Sequence, residues 1–144
     1  LRRISKGQYP PSINNVADIG NLLAIKHHMS QGLFDLDSLQ LPMIFKEAEG
    51  GEQTVLYGSD EPVTLKKGEI CYFDKAGAFA VDLCWRDSKR TAVTENTKNI
   101  LVQTEGVFEI YRSKVEAMLA DLQTYILKYA GGTVKTIGIV TAKE

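Results

Sequence analysis

The segment Ser12–Leu39, SINNVADIGNLLAIKHHMSQGLFDLDSL, constrains the fold more than any other stretch. Ile13, Val16, Ile19, Leu22, Leu23 and Ile25 recur at helical spacing and give one packed face. Ser12, following Pro10-Pro11, is placed to cap that helix, which runs to about His28. Beside the apolar face lies a polar stripe, because Asn14, Asp18 and Asn21 stand at i, i+4 and i+7. Asn and Asp are mediocre helix formers, so three in one stripe imply that their side chains have work to do. That work is either a buried polar network tying the helix to nearby loops, Asp35 included, or one wall of a ligand pocket.

The rest of the chain reads as strands followed by a second helix. Leu1 to Lys6 reads as the end of a helix stopped at Gly7, which suggests a fragment with sequence upstream. Asp35 caps a short turn over Leu36–Leu39. Strands are expected over Pro42–Glu47, Gln53–Tyr57, Glu69–Phe73, Ala78–Leu83 and Ile100–Glu105, while Thr91–Thr94 is too short to assign. Gly77 supplies the left-handed position of the hairpin between the third and fourth of these. Val115, Met118, Leu119, Leu122, Ile126 and Tyr129 form the core stripe of a helix over Ile110–Tyr129, stopped by Gly131-Gly132. Thr133–Thr141 reads as a final strand. Strands joined by hairpins favour a single α+β domain, mainly antiparallel, over residues 1–144.

Composition excludes several classes. A net charge of −1 argues against a strong polyelectrolyte binder of nucleic acid, DNA included. Clusters at Arg2-Arg3-Lys6 and Arg86-Lys89-Arg90 read first as solvated surface. No run of about 18 apolar residues is present to span a membrane. If Gly77 turns a hairpin, Cys71 faces a residue near Ala80 rather than Cys84, so a disulfide is out of register. Two unpaired cysteines without a secretion signal point to a reducing cytoplasm, and no ligand spacing for a metal or other cofactor is visible. Lys26, His27 and His28 suit the C-terminal helix dipole, and adjacent residues on a helix diverge too far to share a ligand easily.

N-N-V-x-D-I-x-N followed by F-D-L-D-x-L resembles the signature of the B3/B4 domain, known from the β chain of bacterial phenylalanyl-tRNA synthetase. Further matches follow in order over about residues 1 to 130: Leu1-Arg2-Arg3-Ile4 with Gly7, Gly51-Glu52, Gly68-Glu69-Ile70, and Trp85-Arg86-Asp87-Ser88 with Thr91 and Thr94–Asn99. The last resembles the W-R-(D/E)-S-x-x-T segment of stand-alone members. The resemblance implies stacked, mostly antiparallel sheets with helices packed outside, in β/β/α layers. It also implies tRNA or aminoacyl-tRNA as partner, and hydrolysis of mischarged tRNA as activity. Three places differ from the synthetase's editing form. Gly32 stands where a His is usual, Gln103 where a Glu is usual, and Leu83–Ser88 replaces a Gly-rich loop. Gln cannot act as a general base and Gly offers no side chain.

The polar set left in that region is Arg86, Asp87, Ser88, Thr91, Thr97 and Gln103. Arg86 has the fork to clamp a phosphate or carboxylate. Asp87, Ser88 and Thr91 serve either a ligand or a local turn. Trp85 reads as core or pocket wall rather than as a base-stacking platform. With both histidines at a distant helix end, a Ser-His-Asp triad has no support. Two functions remain open: an aminoacyl-tRNA deacylase, or an RNA- or small-molecule-binding module that kept the fold and lost the chemistry. A purely structural domain is a third.

Overall fold

The structure is a computed structural model that describes residues 4–9, 12–107, 111–135 and 138–140. Its first long helix, α1, is Asn15–His27, and Asn14 rather than Ser12 caps it. The cap oxygen must reach an amide three residues on, and Asn14 Oδ1 accepts from Ala17 N–H at 2.9 Å. Ser12 donates instead to Asp18 Oδ2 at 2.5 Å, while Ile13 N–H donates to Asp18 Oδ1 at 2.9 Å. These bonds, the Ser12 hydroxyl first, hold the Asp18 carboxyl below its ordinary range. His28 closes α1 in a left-handed conformation, φ 52°.

Eight strands follow, and every strand pair among the described residues is antiparallel. They are β1 Ser30–Asp35, β2 Ile44–Glu47, β3 Gln53–Val55, β4 Pro62–Thr64, β5 Ile70–Asp74, β6 Gly77–Val81, β7 Arg86–Asp87 and β8 Ile100–Glu105; α2, Arg112–Tyr129, comes after β8. β1 pairs with β8 as a ribbon, β2-β5-β6-β7 form a four-stranded sheet, and β3 pairs with β4.

The layers follow from which side chains each face buries. Ile19, Leu23, Met118 and Leu122 join the two helices and seat them over the ribbon through Val102. The other ribbon face gives Phe34 and Leu101 to a second cluster with Phe79, Ala80 and Tyr72 of the four-stranded sheet. The far side of that sheet buries Cys71, Phe73, Ala78 and Val81 with Ala48, Leu65 and Leu56. Sheet thus stacks on sheet with both helices outside, the layering that the resemblance implied. Lys26 Nζ and His27 Nε2 each lie 2.7 Å from Asp121 Oδ2, so the basic end of α1 is tied to α2. Gly20 lets α1 settle on β1, since a Cβ there would come within 2.1 Å of Gln31 Nε2 and 2.5 Å of Leu33 Cδ1.

Several expected boundaries shift. The Pro42–Glu47 strand begins only at Ile44, and Gln53–Tyr57 stops at Val55, with Leu56 making a lone bridge to Ser88. The Ala78–Leu83 strand ends at Val81 because Asp82, Leu83 and Cys84 take left-handed φ values of 54°, 56° and 58°. Cys84 therefore sits in a turn, not a strand. Cys71 pairs with Val81, one place past Ala80, across an irregularity at Tyr72/Phe73; both thiols are free. Lys89–Thr91 is a 3-10 turn. The described part of Thr133–Thr141 holds no strand. Leu1–Arg3, with the Arg2-Arg3 cluster, Pro10, Pro11, Ile110 and Thr141 lie outside the described residues. Ile4–Lys6 is one 3-10 turn. No helix among the described residues is long and apolar enough to cross a membrane.

Candidate functional site

A cleft of about 360 Å³ opens between the first half of α1, the outer part of β1 and the β6–β7 turn. Asn21, Gln31, Cys84, Trp85, Arg86 and Asp87 line it, with Tyr57 at its side. The turn is held from several directions. Ser30 Oγ donates to Leu83 O at 2.5 Å, Arg86 Nη2 donates to Asp82 Oδ2 at 3.2 Å, and Asp82 N–H donates to Ile70 O at 3.0 Å. Three successive non-glycine residues in the left-handed region are uncommon, and each costs of order 1 kcal/mol that these ties must offset.

Beneath the turn lies a polar cluster built by β8. Strand alternation puts Gln103 and Glu105 on one face, towards the four-stranded sheet. Cys84 Sγ donates to Glu105 Oε1 at 2.9 Å, and Gln103 Nε2 lies 3.0 Å from Cys84 Sγ and 3.2 Å from Glu105 Oε1. Burial first, and then the charge of Glu105, push the Cys84 thiol and the Tyr72 hydroxyl far up. The same two causes raise Asp87 from 3.8 to about 7. Asp87 Oδ1 is sealed from solvent and has no hydrogen-bond partner among the described residues; the same holds for Gln31 Oε1 and Arg86 Nε. A buried polar atom without a partner costs about 1–3 kcal/mol, so the cleft carries unused bonding capacity.

The ten residues singled out from sequence separate into groups. Arg86, Asp87 and Asn21 line the cleft, and Gln103 touches its wall through Cys84. Asn14 caps α1 and donates to Val93 O at 3.3 Å, while Asp18 is engaged by Ser12 and Ile13. Thr97 Oγ1 donates to Asp35 Oδ2 at 2.6 Å, and Asp35 Oδ1 accepts from Asp37 N–H, so that pair ties two loops. Ser88 Oγ accepts from Arg90 N–H at 3.3 Å and borders a separate depression of about 340 Å³. Thr91 is fully buried, and its Oγ1 has no partner among the described residues. The stripe therefore does not act as one buried network with Asp35: Asn14 caps the helix and reaches Val93, Asp18 holds Ser12 and Ile13 in exposed bonds, Asp35 bonds to Thr97 and Asp37, and Asn21 lines the cleft.

Glu105 and Tyr57 were missed. Glu105 lies two places beyond Gln103, and the alternation of the Ile100–Glu105 strand was the signal that would have found it. Tyr57 had none, because backbone pairing brings it to the cleft, its N–H donating to Asp87 O at 2.8 Å beside the Leu56–Ser88 bridge. Trp85, expected as core or wall, is 80% exposed at the rim. Each cation of the Arg86-Lys89-Arg90 cluster has a carboxylate partner: Asp82 at 3.2 Å, Asp60 at 2.5 Å and Asp74 at 2.9 Å respectively. Among the described residues no group of three or more His, Cys, Asp or Glu could hold a metal ion.

A family model described as the B3/4 domain matches residues 1–131. The phenylalanine–tRNA ligase beta subunit of Fusobacterium nucleatum is 33% identical over 92 residues, which is 63% of this chain and 11% of that protein. The chain therefore spans about a tenth of that relative's length. An N-terminal fragment of the phenylalanyl-tRNA synthetase beta subunit from Pyrococcus horikoshii superposes with a TM-score of 0.66 at 20% identity, over 80% of this chain and 40% of that one. The superposition is a likeness of fold.

Proposed function

Because the chain belongs to the B3/4 domain family, we propose that its cleft receives the aminoacyl end of a tRNA and hydrolyses a wrongly attached amino acid. One observation carries the reading: Asp87, raised to about 7, lines the cleft, and its Oδ1 has no hydrogen-bond partner among the described residues. A carboxyl tuned to near neutrality suits proton transfer at physiological pH. In this reading a water adds to the ester carbonyl carbon as its proton passes to the Asp87 carboxylate. Arg86, whose Nε has no partner among the described residues, faces the oxyanion. Collapse breaks the bond to the ribose oxygen, and Asp87 returns the proton to the departing hydroxyl. Water is the one co-reactant. The products are the free amino acid and the tRNA. Two free thiols suit a reducing cytoplasm for this work.

A second reading, a binding module without chemistry, is favoured by Gly32 and Gln103 standing where the resembled editing form has His and Glu. Asp87→Asn separates the two. It keeps shape and polarity but cannot take a proton, so release of amino acid from mischarged tRNA falls at least about 100-fold if Asp87 is the base. Release that is absent from the unmutated protein too, with ligand still bound, supports the binding module.

A further inference from the structure

We propose that Trp85 and Tyr57 form a stacking platform for the terminal nucleobase of the RNA 3′ end; this deepens the aminoacyl-tRNA reading of the same cleft and rests on it. Trp85 is 80% exposed and Tyr57 55% exposed, although both line the cleft. Two large aromatic faces left in water at a cleft mouth give the fold nothing in return. Their placement is fixed by β7. Trp85 closes the turn that leads into β7, two residues before Asp87, and Tyr57 donates its backbone N–H to Asp87 O at 2.8 Å. Both aromatic residues thus line the same cleft as the residue assigned to the ester.

Charge decides which part of an RNA end they meet. Arg86, Lys89 and Arg90 are each occupied by a carboxylate of the chain, so the rim is no phosphate clamp. A ring face recognises the flat, uncharged part of a nucleotide, and it does so for any base. All tRNAs end in adenosine, so the occupant is adenine. With the base on the aromatic rim, the ribose hydroxyl that bears the amino acid points inward to Asp87.

Trp85 is the single tryptophan of the sequence, so the intrinsic emission of the whole chain reports on this one ring. Adenosine 5′-monophosphate alone is expected to quench it saturably. Tyr57→Ala should weaken that binding by about 5-fold or more, and Trp85→Ala should do the same by calorimetry, since a stacked face is worth about 5- to 150-fold in affinity. The platform is overturned if the nucleotide leaves Trp85 emission unchanged into the millimolar range, or if either variant binds it as well as the unmutated chain. Hydrolysis of aminoacyl-tRNA without quenching by the nucleotide removes the platform and leaves the hydrolase. Quenching that needs Tyr57, without hydrolysis, keeps the platform and removes the hydrolase.

Discussion

Gly32 lies directly opposite Gln103 across the β1–β8 ribbon, and a Cβ on Gly32 would come within 2.5 Å of the Phe34 ring and 2.9 Å of Cys84 Sγ. The absence of a side chain at this place is therefore a packing requirement here. Phe34 is fully buried edge-on against Phe79, with ring centroids 5.0 Å apart, so it has little room to yield.

Gly32→Ala is expected to cost about 1–3 kcal/mol by overpacking, a fall in Tm of several degrees in a thermal melt. Gly32→His, restoring the residue of the resembled editing form, is expected to fall further. A Gly32→Ala chain melting with the unmutated one contradicts the tight contact.

Asp87 makes stability depend on pH with a definite sign. Its folded carboxyl titrates near 7, above the unfolded value of 3.8. Its contribution is full below the unfolded value and is lost as pH rises through about 7. Asp87→Asn removes that loss. Against the unmutated chain it should gain about 2 kcal/mol or more between pH 4 and pH 8, read by urea unfolding at each pH. No change in the pH slope contradicts the raised carboxyl.

Asp74 has the opposite sign. Burial raises its carboxyl, but Gln40 N–H, Arg90 and Ala76 N–H outweigh burial and hold it below its ordinary value. Stability from this group is present above the unfolded value and is lost as pH falls through the depressed one. Arg90→Met should lower stability by about 1–2 kcal/mol at pH 7 and flatten the acid limb below pH 4, measured by the same unfolding series.

The thiols should be inert while the chain is folded. Cys71 is fully buried and Cys84 nearly so, and burial raises both, with Glu105 adding to the rise at Cys84. At pH 8 iodoacetamide is expected to modify neither in the native chain and both in denaturant, read by intact mass.

Periodicity carried much of this fold. The stripe from Val115 to Tyr129 located α2, and the apolar run Ile100–Val102 located β8 to the residue. What failed was decided by side-chain and backbone contacts that residue type and spacing do not show. Asn14 displaced Ser12 as cap because Ser12 and Ile13 both turn to Asp18. Asp82–Cys84 left the strand because Ser30 O–H and Ile70 O hold that turn from other elements. Thr133–Thr141 is rich in β-branched residues, yet Val134 and Val140 remain exposed, so propensity there met no partner strand among the described residues. Of the residues lining the cleft, Asn21 was singled out by its helical spacing and Arg86 and Asp87 by the family resemblance. Tyr57 was not, because it enters through backbone pairing alone.

The most direct test is release of free amino acid from tRNA mischarged with tyrosine, run beside a panel of other aminoacyl-tRNAs, comparing the unmutated chain with Asp87→Asn. Release for at least one aminoacyl-tRNA, rising with pH to a plateau above about 7 and lost in Asp87→Asn, is the expected result. A flat panel from a folded chain with the tRNAs intact, or release that Asp87→Asn leaves unchanged, would contradict it.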